Sequence, residues 1–153
     1  MYKRQDSNGL LVAYGFLRNN LNEPAFSLPA IKSSPLCVRF CPLLFKRMPA
    51  DKPFIDLPYI LVFAIATQES VMIYTTKSVN PIAIISQIHH AELTDLTWSM
   101  DKKLCVSSRD GFVTLVHFEE NEFGEKMLYE EIPETVKHCF DWMVDYRDIE
   151  API

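Results

Sequence analysis

The 153-residue chain is long enough for one ordinary domain, and its hydrophobic fraction of 48% is enough to fill a core. Its formal charge of −5 at pH 7 and its pI near 5.3 argue against a generally basic, nucleic-acid-binding protein. The longest apolar run, Tyr59–Thr67, falls far short of the roughly 20 residues that a membrane-spanning helix needs, and we expect no signal peptide.

The charges are unevenly distributed along the chain. The first fifty residues contain seven basic and two acidic residues, whereas residues 119–150 contain eleven acidic and three basic ones. An acidic stretch of this kind can attract a basic partner, histones included. The alternative is an ordinary solvated surface tail, and the sequence leaves both open.

The first predicted elements belong to two blades of a β-sheet protein. Leu10–Leu17 and Pro24–Ile31 are predicted as the third and fourth strands of an incomplete blade. Pro35–Pro42 is predicted as the first strand of the next blade. The stretch Leu43–Pro58 that follows is rich in proline, which predicts an insertion loop on one face of that blade.

The second blade continues through Tyr59–Thr67 and Ser70–Thr76 and is predicted to end with Pro81–Ile88 as its fourth strand. Ser70–Thr76 is similar to Phe112–Phe118, about 42 residues later, and this offset lies within the roughly 40–45 residue period of WD-type propeller blades. The chain therefore contains a weak internal repeat.

The third predicted blade contains the clearest local signals. Its strands are Leu93–Met100, Leu104–Ser108 and Phe112–Phe118, with a first turn at residues 101–103 and a second at Asp110-Gly111. Asp-Gly between two alternating apolar runs is a strong hairpin signal, because glycine readily adopts the positive φ that a tight turn requires.

Together these elements predict an all-β fold: a partial WD-repeat β-propeller of about two and a half blades of four-stranded antiparallel sheet. A closed propeller has roughly four to eight blades, so this chain is not expected to close one alone. We predict the propeller portion at residues 1–124 and an acidic tail at residues 125–153. Within the tail, apolar residues at helical spacing after Pro133 predict an amphipathic helix at residues 134–149 that packs on an exposed edge or on a partner.

Blades of this type often contain an internal hydrogen-bond set formed by a His, a Ser or Thr, an Asp and a Trp, because buried polar groups without partners cost stability. His90, Ser107 and Asp110 stand at suitable positions for the first three. The Trp position falls on Val116, and on Tyr74 in the preceding blade, so the set is incomplete. We predict a structural role for these residues, not a catalytic one.

The histidines and two of the cysteines do not predict a metal site. His89-His90 with His117 lacks the three or four converging ligands of a zinc site, and adjacent side chains on an extended chain point to opposite faces. Cys37 and Cys41 would lie about 13 Å apart on a strand, too far to share a metal. They are predicted to be small buried hydrophobic residues.

Catalysis is not indicated either. A nucleophilic pair of Cys105 and His117 across a hairpin is conceivable, but nothing in the sequence marks an activated thiolate or an oxyanion donor. The four glycines form no phosphate-binding loop. The four cysteines lack the close-set pairs of a secreted disulfide scaffold, which favours the cytoplasm or nucleus. We therefore predict no enzyme, no cofactor and no metal.

Several collinear stretches resemble the closing blades of the WD-repeat middle subunit of chromatin assembly factor 1. They are FLRNNLNEPAFSLPA (Phe16–Ala30), CVRFCPLLF (Cys37–Phe45), LPYILVFAIATQESVMIYTT (Leu57–Thr76), ISQIHHAELTDLTWSMD (Ile85–Asp101) and SSRDGFVTLVHFEENEFG (Ser107–Gly124). The resemblance is more specific than blade patterning, because Arg-Asn-Asn-Leu followed by Pro-Ala-x-x-Leu-Pro is not a general requirement of propellers.

This resemblance implies a non-enzymatic subunit of a nuclear histone chaperone, which deposits newly made histones onto DNA behind replication and repair. Its propeller is expected to be a rigid docking platform for the large subunit of chromatin assembly factor 1 and for histones, with a second histone chaperone as a further candidate partner. No motif predicts direct DNA contact or a membrane.

The sequence also departs from the family. Only the closing blades are present, and the tail is short and acidic. Its segment Glu131–Phe140 lacks the short basic motif expected to engage a second chaperone. A generic WD-repeat interaction scaffold, and a fragment without independent function, stay open as alternatives.

Overall fold

The computed structural model describes residues 3–5, 11–31 and 33–141, in which ten strands form three antiparallel sheets. The first sheet consists of β1 (Lys3–Gln5), β2 (Leu11–Gly15) and β3 (Phe26–Ile31). The middle sheet consists of β4 (Pro35–Lys46), β5 (Tyr59–Thr67), β6 (Ser70–Thr75) and β7 (Ala83–Ser86). The last sheet consists of β8 (Leu93–Trp98), β9 (Leu104–Ser108) and β10 (Val113–Val116).

Within each sheet the strands follow one another in chain order, which is the meander of a propeller blade. The sheets contain three, four and three strands. The fold is therefore a partial β-propeller, and the prediction of an all-β chain with one complete blade between two incomplete ones is confirmed.

The central strand β5 explains how the sheets pack. Its side chains alternate between two apolar clusters: Val62 and Ala64 face the last sheet, whereas Phe63 and Ile65 pack with Leu28 of the first sheet. All four β5 residues are buried, at 0–2% exposure. A strand covered on both faces must be apolar at every position, which is why Tyr59–Thr67 is a continuous apolar run.

The predicted insertion loop begins later than expected, because β4 continues through residue 46. Leu44 pairs with Leu61 and Phe45 pairs with Ile60, and Leu44 and Phe45 are buried. The sequence predicted a loop from residue 43 because the stretch that follows Pro42 is rich in proline. The structure accommodates this proline where the register between β4 and β5 shifts, a position at which a missing backbone N–H is tolerated.

The described part of the acidic tail, residues 125–141, folds back onto the middle sheet. A 3₁₀ turn (Tyr129–Glu131), a short helix α1 (Glu134–Lys137) and a second 3₁₀ turn (His138–Phe140) follow the last sheet. Within the predicted helix at 134–149, the described residues form this short helix and the second 3₁₀ turn, and the part of that prediction after residue 141 lies outside the described residues. The division of the chain at residue 124 stays a prediction.

Candidate functional site

Asp110 organises the turn between β9 and β10. Its carboxylate accepts hydrogen bonds from the backbone N–H groups of Phe112 and His90, each at 3.0 Å, and lies 3.2 Å from Nδ1 of His89. Gly111 follows with a φ of 84°, the left-handed conformation that its sequence position predicted. One side chain thus connects the hairpin turn to the segment that enters β8.

These hydrogen bonds stabilise the ionised form of Asp110. The Phe112 N–H, and after it the contacts from His90 and His89, lower the pKa of this carboxyl to about 2 from its usual 3.8. An ionised carboxylate only accepts hydrogen bonds, so Nδ1 of His89 carries the proton. The His89 side chain is 2% exposed, and its Nε2 has no hydrogen-bond partner among the described residues.

Three residues were predicted for the internal hydrogen-bond set: His90, Ser107 and Asp110. The side chains that contact Asp110 belong instead to the sequence neighbours of the first two. His90 is exposed and reaches Asp110 through its backbone, whereas the side chain beside Asp110 is that of His89. The hydroxyl that accepts from the Asp110 N–H belongs to Ser108, at 3.3 Å. Ser107 instead contacts Thr94 at 2.8 Å.

Strand alternation explains this displacement by one residue. On β9 the buried positions are Leu104, Val106 and Ser108, so Ser108 and not Ser107 lies on the core-facing side. Its hydroxyl donates to the carbonyl groups of Ala91 and Glu92. The same alternation was available in the sequence and would have selected Ser108. That the cluster holds the blade together stays a prediction.

Replacing Asp110 by Asn should test that role. We expect Asp110→Asn to lower the urea midpoint of unfolding, because the amide no longer offers two charged acceptor oxygens to three donors. The matched control is Asp101→Asn, since Asp101 also has a pKa lowered to about 2 but belongs to an exposed ion pair with Lys103. An equal effect of the two substitutions would contradict a special role for Asp110.

Asp110 should also make the free energy of unfolding depend on pH in the acid range. Because its folded-state pKa of about 2 lies below 3.8, ionisation favours the folded state. Its contribution is complete above pH 3.8 and is lost as the pH falls toward 2. Unfolding free energies measured between these pH values should therefore fall less steeply for Asp110→Asn than for the wild type. Identical slopes would show that Asp110 does not couple folding to ionisation.

A second polar cluster fastens the middle sheet to the last one. The Arg39 guanidinium on β4 donates to both carboxylate oxygens of Asp95, at 2.8 and 3.1 Å, and to the carbonyl of Leu96 at 3.0 Å. In return, Nε1 of Trp98 donates to the Arg39 carbonyl at 3.0 Å. Each of the two strands thus donates to the other, which fixes their relative position.

The hydrogen bond donated by Trp98 should make a measurable contribution to the free energy of unfolding. Trp98→Phe keeps an aromatic ring beside Phe118 but removes the N–H donor, and we expect a loss of about 1 kcal/mol in unfolding free energy. Tyr129→Phe is the control, because it removes a hydroxyl that donates to Asp141 on the exposed tail. Chemical denaturation of both variants measures the difference in their free energies of unfolding. If Trp98→Phe loses no stability, this hydrogen bond does not hold the two sheets together.

The remaining candidate chemistry does not assemble. In the described part of the chain no three His, Cys, Asp or Glu side chains converge to hold a metal. Cys41 is buried, and burial raises its thiol pKa to about 11, which opposes formation of a nucleophilic thiolate. Burial also raises the pKa of Cys37. Among the described helices, none is long and apolar enough to cross a membrane.

Comparison with known protein families shows to which family this architecture belongs. The family model described as the CAF1B/HIR1 beta-propeller domain matches residues 1–123. The chain belongs to the CAF1B/HIR1 propeller family. Both polar clusters described above, around Asp110 and around Arg39, lie within the matched residues, and so do all ten strands.

Individual relatives agree with the CAF1B/HIR1 assignment. The chain is 44% identical over 123 residues to the chromatin assembly factor 1 subunit FAS2 homolog of Oryza sativa subsp. japonica, with 79% of this chain and 24% of that protein covered. It is 36% identical over 140 residues to the chromatin assembly factor 1 subunit designated B in Mus musculus, with 81% and 24% covered. The protein of the same designation in Saccharomyces cerevisiae is 36% identical over 122 residues, with 78% and 25% covered.

The chain therefore spans about a quarter of the length of these CAF1B/HIR1 relatives. More distant matches within the family include Protein hir1 of Aspergillus fumigatus, at 31% identity over 99 residues, with 60% of this chain and 10% of that protein covered. Residues 125–140, which follow the last sheet, lie beyond the matched residues.

Proposed function

We propose that this chain supplies closing blades of a non-enzymatic scaffold subunit in a histone chaperone complex for nucleosome assembly, coupled to DNA replication and repair. The observation that carries the proposal is the family match over all three sheets. Relatives at 36–44% identity are named as chromatin assembly factor 1 subunits. The middle sheet is covered on both faces and is joined to the last sheet by hydrogen bonds, which suits a docking platform.

The partners follow from this assignment. We propose the large subunit of chromatin assembly factor 1 and histones as partners, and the nucleus as the site of action. The segment that begins at residue 119 contributes exposed carboxylates, among them Glu119, Glu120 and Glu122, that favour a basic partner by charge complementarity. A second histone chaperone is the weaker candidate, because residues 131–140 contain no basic motif.

The last sheet supports a further part of the proposal, which is that the blade is completed by another segment. It contains three strands, whereas the middle sheet contains four, and β10 is an edge strand in the position that β6 occupies beside β7. We propose that a strand from the rest of the protein or from a bound partner pairs with β10.

Affinity purification tests the proposed function. A tagged chain expressed in cultured cells should be nuclear and should enrich the large subunit and histones over a tag-only control. A parallel sample should co-express the remaining blades of a full-length relative, since the chain spans only a quarter of its relatives. Recovery only in that sample would identify the chain as a part that needs completion. A folded chain that recovers neither partner in either sample would contradict the proposal.

A further inference from the structure

The segment after the last sheet, residues 125–140, is bound against β4 of the middle sheet; we call it the return segment. It begins after Gly124, whose φ of 97° lets the chain reverse direction. It lies immediately after the residues that the family model matches, which end at 123. The propeller sheets therefore do not include it, although it contacts one of them closely.

The first attachment is a short piece of β-ladder. Phe45 and Lys126 form an antiparallel bridge, in which the Lys46 N–H donates to the Glu125 carbonyl at 2.8 Å and the Met127 N–H donates to the Leu44 carbonyl at 2.9 Å. The pairing lies on the edge of β4 that β5 does not use. This is the way in which an extended peptide adds to an open sheet edge.

The second attachment is a charge clamp centred on Lys46. Its ammonium contacts Glu125 Oε1 at 2.6 Å and Glu131 Oε1 at 2.8 Å. The other oxygen of Glu131 accepts from the Leu128 N–H at 2.8 Å, which fixes the 3₁₀ turn in the register that the clamp requires. One cation on β4 thus binds two carboxylates of the return segment at once.

The third attachment is apolar. Met127 and Ile132 are 8% and 3% exposed and pack on Leu44 in a separate cluster. Tyr59 and Leu61 of β5 extend this apolar surface, which we call the apolar shelf. Val136 and Phe140 of the return segment cover it, and all four side chains are partly buried. Leu128, between the two buried anchors, is 60% exposed, so the anchors alternate with a solvent-facing position.

We propose that this β4 edge, with its apolar shelf and Lys46, is a peptide-docking groove that the return segment occupies as an intramolecular ligand. The ligand chemistry is set by the occupant: an extended acidic peptide whose carboxylates and apolar side chains are spaced as in Glu125, Met127, Glu131 and Ile132. A partner protein that offers this pattern would have to displace the return segment, which makes the contact autoinhibitory.

Tethering explains why the groove is filled in the free chain. A segment joined by a short connection is present at an effective concentration of about millimolar, so a free peptide at micromolar concentration does not compete with it. The groove becomes available to an external peptide only when the internal contact is weakened. This gives the proposal a direct test that does not depend on the proposed role in chromatin assembly.

The test uses the full chain and a fluorescein-labelled peptide of residues 124–141. Met127→Asp with Ile132→Asp places two carboxylates on the apolar shelf and should release the internal segment. This variant should bind the peptide at least ten-fold more tightly than the wild type, by fluorescence anisotropy. Leu128→Asp is the matched control, because its exposed position leaves the segment docked and peptide binding weak.

Charge exchange tests whether Lys46 recognises the peptide. Adding Lys46→Glu to the released variant should abolish binding of the wild-type peptide, and a peptide with Glu125→Lys and Glu131→Lys should restore it. Lys52→Glu, on an exposed position of the neighbouring loop, is the control and should change nothing. A released variant that keeps its circular dichroism spectrum but binds no peptide would overturn the proposal.

A second experiment covers the case in which the released variant does not fold. A protease site inserted between Phe123 and Gly124 lets the folded chain be cut in place. The cut segment should stay bound on gel filtration and exchange with excess labelled peptide. Collapse of the sheets on cutting, or loss of the segment without rebinding, would show that residues 125–140 are a fixed part of the core and would overturn the proposal.

Discussion

Phe123→Ala is expected to lower the free energy of unfolding by about 3–5 kcal/mol, the largest loss for any single side chain that we consider. Phe123 is 2% exposed, and its ring lies 4.7 Å from Phe118, 5.6 Å from Phe45 and 6.3 Å from Trp98, measured between ring centroids. These neighbours come from the middle sheet, the last sheet and the chain that leaves it. Truncation would leave a cavity where the sheets meet, and rigid sheets relax into such a space poorly.

Urea denaturation followed by circular dichroism measures this loss. The control is Phe112→Ala, because Phe112 is 70% exposed and its truncation should change the unfolding free energy by no more than about 0.5 kcal/mol. If the two alanine variants unfold at the same urea concentration, the aromatic cluster around Phe123 does not join the sheets.

The pattern of apolar and polar residues predicted most of the strands, because the burial of each strand follows this pattern directly. β5 and β9 have the predicted bounds, since β5 is apolar throughout and β9 alternates strictly. The Asp110-Gly111 turn was equally clear, because positive φ at Gly111 is a local requirement. β1 was not predicted, since three residues with two basic side chains carry no apolar pattern.

The parts that the sequence did not predict depend on distant contacts. The end of β4 is a strand because Leu44 and Phe45 pair with β5 and the backbone of the return segment pairs with the other edge, and the local sequence of a Pro-rich stretch does not contain that information. The pairing of Arg39 with Asp95 joins residues 56 positions apart. Each of these features appears only when sheets that are separate in sequence meet.

The contacts around Asp110 differ from the predicted hydrogen-bond set by one residue at two positions. The side chains of His89 and Ser108 contact Asp110, where the prediction named His90 and Ser107. Because side chains alternate with a period of two, an error of one residue moves a side chain to the opposite face. The turn fixes the position of Asp110 in the sequence, whereas the histidine pair offered two equivalent choices.

Among the described residues, the arrangement of three, four and three strands leaves β10 with one side unpaired, and its exposed side chains are unusual for an outer strand. Phe112, Val113 and Leu115 are 60–70% exposed, and the last two lie on the same face of the strand. An open edge with an apolar face is a template for pairing with another chain. We therefore expect the isolated chain to associate with itself through β10.

Val113→Lys with Leu115→Lys should suppress that association, because a charged edge strand resists pairing and both positions are exposed in the monomer. We expect the onset of self-association, measured by sedimentation velocity, to move to at least about ten-fold higher protein concentration. Loss of unfolding free energy should stay below about 1 kcal/mol, the span of strand propensities. The control is Ile84→Lys on β7, which is equally exposed at 62% but belongs to the complete sheet.

The two outcomes lead to different views of the chain. If the double variant is monomeric and Ile84→Lys is not, β10 is the surface that needs completion, and supplying its missing strand in trans should have the same effect as the lysines. If the double variant associates as readily as the wild type, the open side of the last sheet is not adhesive. The three strands of that sheet would then be sufficient without a fourth, and the search for an added strand would move to the edge of β1 in the first sheet.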